Sequence, residues 1–190
     1  VILAKLKQAH IAISQNKLPL AQQLITDSRQ INEIERIGMH ADILFMNIRL
    51  LQNQGKYSEA LEGVNQLKQN YDISSEQFIY YDIYHANLTW SIQKPSLLNK
   101  QDVIRFEQHL LRLKQMKQEA TLTNHEIYSF VLLTYLNYLA HYLHTDTERV
   151  FHNALSHFSQ LELSNKLNDC YKLMVIYYRI SNHFWRFRIV

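Results

Sequence analysis

A chain of 190 residues can bury one sizeable core, and its net charge of +3 comes from 20 basic and 17 acidic side chains scattered without a dense basic stripe, so direct nucleic-acid binding by this segment is not expected. Only 3 Gly and 2 Pro occur, which disfavours turn-rich sheet architectures, and the single Cys170 excludes an internal disulfide framework. The closest approach to a run of about 18 uncharged apolar residues, positions 127–143, is interrupted by Asn137 and His141, so no membrane span is expected and a cytoplasmic setting is.

From the start of the chain, Ile2, Leu6, Ala9 and Ile13 follow helical spacing, and after Asn16-Lys17 a second stretch places Ala21, Leu24, Ile25 and Ile31 in the same way. This reads as one helical hairpin. A second pair is expected over 39–54 and 57–70, divided by Gly55, the residue that most easily takes the left-handed conformation ending a helix. Ser74 with Gln77, Thr123 with Glu126 and Thr145 with Glu148 each fit a capping box, in which the two side chains satisfy free helix-start amides reciprocally. These starts predict helices over 75–91, 124–143 and 146–161, with another over 101–117 after the Lys94-Pro95 break and a last one over 166–184. The fold class expected is all-α, a tetratricopeptide-like right-handed solenoid of about nine antiparallel helices. The chain begins at Val1 without an initiator Met and enters a helical pattern at once, so 1–190 is read as a helical repeat domain of a longer protein that lacks an N-terminal region.

The repeat signature is clearest at Gly55-Lys56-Tyr57-Ser58-Glu59-Ala60-Leu61, similar to the tetratricopeptide turn, where Gly closes one helix, Tyr packs the turn and Ala admits close helix approach. Aligned on Ala60, Ala21 and Ala154 fall in comparable places, each followed four residues later by an apolar residue: Ile25, Val64 and Phe158. The spacing from Ala21 to Ala60 is 39 residues, longer than the ~34 of the tight repeat, so the repeats are irregular.

The stretch Asn153-Ala154-Leu155-Ser156-His157-Phe158 with Leu161, followed by Tyr171-Lys172 and Tyr177-Tyr178-Arg179, resembles the closing helices of the Rgg/MutR transcriptional regulators, relatives of PlcR-type peptide sensors. The resemblance implies a domain that dimerises and receives a short signalling peptide, of the kind used in quorum sensing, on its concave face. It also implies a separate N-terminal helix-turn-helix. No residue here matches that head, so DNA would be a partner only through the absent domain. The alternative is a tetratricopeptide-like scaffold that holds a segment of a partner protein and has no role in transcription.

An extended peptide in a helical groove needs its backbone amides satisfied, and Asn offers both a carbonyl and an amino group for that task. Asn47, Asn87 and Asn137 sit inside otherwise apolar helices near corresponding places of successive hairpins, although any single one more often bonds a neighbouring backbone group or water at a helix contact. Counting back from Ala60, Asn47 falls where a packing residue is expected, whereas Phe45 and Arg49 would face the groove. Aromatic side chains cluster at Tyr80, Tyr81, Tyr84 and Trp90, and again at Tyr128, Tyr135, Tyr138 and Tyr142. Such stripes more often pack a core, yet Tyr84, Asn87, Tyr135 and Tyr138 are expected to share a groove. The peptide-binding set is therefore Arg49, Tyr84, Asn87, Tyr135, Asn137 and Tyr138.

His141, His144 and Asp146 lie close in sequence but run into a helix end, which argues against a metal site. Asp82 and His85 could form an acid–base pair, but no nucleophile accompanies them, and no enzyme activity or cofactor is expected. Cys170 lies in the apolar pattern Cys170, Leu173, Met174 and Tyr177 and reads as a small buried hydrophobe. The terminal run Phe184-Trp185-Arg186-Phe187-Arg188-Ile189-Val190 is unusually apolar and is expected to pack on a dimer partner, on the missing remainder of the protein or back on its own neighbouring helix; the resemblance favours dimerisation by this end and so implies Tyr178, Trp185 and Phe187 at a homodimer interface.

Overall fold

The computed structural model describes residues 1–95, 97–119 and 125–186, with the backbone alone at 125 and 182–186. Among the described residues the chain is all-helical, without strands. The helices are α1 (Ile2–Ser14), α2 (Leu18–Glu35), α3 (His40–Asn53), α4 (Tyr57–Asn70), α5 (Ser75–Gln93), α6 (Lys100–Gln118), α7 (His125–His141), α8 (Thr147–Gln160) and α9 (Ser164–Arg186). None of them is long and apolar enough to cross a membrane. The helices fall into two compact units, Val1–Lys94 and Pro95–Val190, divided at the Lys94-Pro95 break.

Four helices end in the same way, and the reason is the backbone rather than the side chain. After α3, Gly55 adopts φ +77; its amide donates to the Gln52 carbonyl at 3.0 Å and the Lys56 amide donates to Leu51 at 2.9 Å. This double bond closes the free carbonyls of the last turn around a left-handed residue. Asn16 (φ 58) does the same after α1, with Lys17 donating to Ala12 at 2.8 Å. Leu143 (φ 52) and Glu162 (φ 54) repeat it after α7 and α8, where His144 donates to Leu139 at 3.1 Å and Leu163 to Phe158 at 2.9 Å. In three of these turns, those after α1, α3 and α8, the next helix starts two residues past the left-handed residue, so the chain turns straight into it.

Registered on these turns, the fourth residue of the second helix is Ala21 in α2, Ala60 in α4 and Val150 in α8, all buried. Ala154 therefore matches Ile25 and Val64 in the following turn, not Ala21 and Ala60 as its spacing in the sequence suggested. The α7–α8 connection is two residues longer than those of the other two hairpins, and Val150 is hidden from a search for small residues.

The capping box at Ser74 forms as expected: Ser74 Oγ accepts from the Gln77 amide at 3.2 Å and Gln77 Oε1 accepts from the Ser74 amide at 2.9 Å. Thr145 does not cap. The α8 N-cap is Asp146, without a side-chain cap bond, and the Thr147 hydroxyl instead donates back to the His144 carbonyl at 2.6 Å. The pair Thr123 and Glu126 falls partly outside the described residues.

In the first unit Ile2, Leu6, Ala9 and Ile13 of α1 meet Ala21 and Ile25 of α2 and Ile43 and Leu50 of α3 in one core. Here α1 packs on both α2 and α3, α3 on α4, and α4 on α5. The α3–α4 approach is set by Gly63, where an added Cβ would come within 2.6 Å of Ile48 Cγ1. In the second unit α7 is the central helix, apolar nearly all round, as a helix covered on several sides must be. It packs against α6, α8 and α9 and buries Val131, Leu132, Leu136 and Leu139.

Candidate functional site

In the first unit a row on α3, Phe45, Arg49 and Gln52, recurs at the four- and three-residue spacing that places side chains along one helical face. Phe45 and Gln52 reach α5, and Arg49 reaches α1. Phe45 packs into Tyr80, Tyr81 and Tyr84 of α5, with ring centroids 5.3, 5.3 and 5.5 Å away and mostly edge-on, the favourable arrangement for aromatic quadrupoles. Gln52 Oε1 accepts the Tyr84 hydroxyl. Arg49 Nη1 donates to His10 Nδ1 of α1. The row thus ties α1, α3 and α5 side by side, with aromatic surface at one end and the Arg49 guanidinium toward the other.

Arg49 and His10 hold the same place in their helices, six residues ahead of the left-handed residues Gly55 and Asn16. Asn137 holds that place in α7, six ahead of Leu143. Asn137 therefore corresponds to Arg49 and not to Asn47, as the sequence reading assumed. Asn87, further along α5 from Tyr84, is half-buried; among the described residues neither its side-chain amide nor that of Asn137 has a hydrogen-bond partner, whereas the Asn87 carbonyl accepts from Ser91 Oγ at 2.9 Å.

The tyrosines behave differently. Tyr84, Tyr135 and Tyr138 are 5%, 1% and 3% exposed, so their rings fill helix interfaces. In the second unit Tyr135 stacks on Phe106 of α6 at 5.1 Å, and its hydroxyl donates to Glu107 at 3.2 Å. The Tyr138 hydroxyl donates to Asp102 at 3.2 Å and accepts from the Asn99 amide at 3.1 Å, and Tyr142 donates to the Pro95 carbonyl at 2.9 Å. These hydroxyls strap α6 and its lead-in onto α7. Burial pushes the Tyr81 and Tyr138 phenols up to about 12 and raises those of Tyr84 and Tyr135 further. The expected common groove of Tyr84, Asn87, Tyr135 and Tyr138 divides between the units, Tyr84 and Asn87 in the first and Tyr135 and Tyr138 in the second.

Other side chains singled out in the sequence are engaged locally. The Asp82 carboxylate accepts from Lys68 Nζ at 2.7 Å, which commits it to an ion pair. His144 Nδ1 accepts from the Asp146 amide at 3.2 Å at the α7–α8 turn. Cys170 is buried, and burial first, with Asp169 second, pushes its thiol up to about 11. On α9 Tyr178 is 45% exposed and its hydroxyl donates to Glu148 at 3.2 Å. The Trp185 side chain and Phe187 lie outside the described residues.

His10 and Gln52 were missed in the sequence. Their register against the turns could have found His10, since it precedes Asn16 as Arg49 precedes Gly55; Gln52 carries no signal of its own. No family model, curated protein or solved structure matches this chain.

Proposed function

We propose that the chain is a tetratricopeptide-like repeat module, built of antiparallel helical hairpins in a right-handed path, that holds an extended peptide against the first helices of its hairpins. The observation that carries the reading is the packing of first helices on one another, α1 on α3 and α7 on α9, in addition to their hairpin partners. That double packing is what stacked repeats require, since each hairpin buries its second face on the next. In each unit a half-buried Asn amide without a described partner, Asn87 in the first and Asn137 in the second, offers both a donor and an acceptor to a ligand's backbone. Arg49 supplies charge beside the aromatic cluster. Tyr84, Tyr135 and Tyr138 act in this reading by holding the helices that carry the contacts.

The resemblance of Asn153–Phe158 and Tyr171–Arg179 to Rgg/MutR regulators extends the proposal: the module is the peptide-sensing and dimerisation domain of a cytoplasmic helix-turn-helix regulator, with DNA bound only through another domain. Exposed Tyr171, Val175 and Tyr178, spaced along one side of α9, suit a homodimer contact. The test is calorimetric. An octapeptide affinity-selected from a synthetic library on this protein is titrated into the wild type and into Arg49→Ala and Asn87→Ala. Each variant is expected to bind about tenfold more weakly, the size of a lost charged or buried hydrogen bond; unchanged affinity in both removes the residue assignment. Translating the coding DNA upstream of Val1 tests the regulator reading, which a helix-turn-helix there supports and a different domain refutes.

A further inference from the structure

We infer that Arg49 is a carboxylate-recognition group, positioned by His10, for a peptide's C-terminus or acidic side chain; this rests on the peptide-binding reading above. The first unit's two other half-buried cations each hold a carboxylate. Lys5 holds Asp27 at 2.8 Å, and Lys68 holds Asp82 at 2.7 Å. Arg49 is half-buried too, yet among the described residues it pairs with no carboxylate, and its guanidinium donates to the imidazole of His10. A partly desolvated cation without a counter-charge is costly, and a ligand carboxylate offsets that cost.

The geometry fits the ligand as well as the charge does. A guanidinium carries five N–H donors in a rigid fork that matches a carboxylate with two parallel hydrogen bonds. One donor goes to His10 Nδ1, which accepts only when that nitrogen is unprotonated, so His10 fixes the plane of the fork without competing for the anion. The equal registers of His10 and Arg49, each six residues ahead of a left-handed turn, hold the two on adjacent first helices. One turn along α3 from Arg49, half-buried Phe45 packs on half-buried Tyr80, and these two rings offer apolar surface next to the carboxylate.

Two measurements on the whole chain test this. The selected octapeptide is compared with its C-terminally amidated form and with forms whose acidic residues are changed to the amides, against the wild type and Arg49→Gln. One neutralised form is expected to bind the wild type about tenfold more weakly while binding Arg49→Gln no worse than the parent peptide does. Which form it is identifies the source of the carboxylate. His10→Asn, which keeps an acceptor, should retain wild-type affinity, and His10→Leu should lose severalfold. Equal losses in wild type and Arg49→Gln, or no loss at all, overturn the inference. Sodium acetate against acetamide at matched ionic strength, read on the Arg49 Nε–H resonance, decides the matter without a peptide. A saturable shift with acetate alone supports the carboxylate site; identical responses refute it. Failure to select any peptide with a positive acetate response would sink the peptide reading and leave the anion site standing.

Discussion

At the scale of single residues, four turns each depend on one residue in a left-handed conformation. Gly55 occupies a left-handed position with nothing within 4 Å of an added Cβ, so Gly55→Ala tests conformation alone. It is expected to lower the unfolding free energy by about 1 kcal/mol in urea titration, the cost of a β-carbon in that region. The same turn is built on Glu162, and there Glu162→Gly should raise stability by about 1 kcal/mol. The Gly55 turn was legible in the sequence because glycine announces a left-handed residue. Leu143 and Glu162 do the opposite, so their turns become visible only through the hydrogen bonds that close them. Ionisation belongs to this scale too. Burial raises the Tyr81 and Tyr138 phenols from 10.0 to about 12, so the folded protein binds those protons more tightly than the unfolded chain. Their contribution is fully present below pH 10 and is lost as pH rises toward 12. The urea midpoint should fall across that window, and less steeply in Tyr138→Phe.

Between elements, the closest constraint is Gly63 against Ile48. Gly63→Ala places a methyl 2.6 Å from Ile48 Cγ1 in a fully buried contact, and the helices must separate or Ile48 must leave its rotamer. A loss of about 1–3 kcal/mol is expected, as for other overpacked cores. Because Ile48→Ala removes the clashing atom, the double variant should be more stable than the sum of the single losses implies. Helix existence was readable throughout, since the apolar spacing of α1 to α4 and the caps at Gly55 and Ser74 are local signals. Partner choice was not. Tyr135 and Tyr138 look like groove residues in the sequence because Tyr suits both a wet surface and a core; only the carboxylates of Glu107 and Asp102, 28 and 36 residues earlier in chain order, reveal that they fasten α6 to α7.

For the whole molecule, length suggested one continuous domain, and the chain packs as two units divided at Pro95, each with its own buried core. The Lys94-Pro95 break was visible as a helix terminator, but a terminator does not say whether the next helix packs back on the last. The α3 face that carries Phe45 and Arg49 was legible from register against the Gly55 turn, whereas the burial of Tyr84 depends on what packs across it and was not. The most direct test of peptide binding is amide chemical-shift mapping with the selected octapeptide. Perturbations are predicted on α1, α3 and α5 around His10, Phe45, Arg49 and Asn87, with α2 and α4 quiet. Shifts centred on the outward faces of α2 and α4, or no shift at saturating peptide, would contradict it.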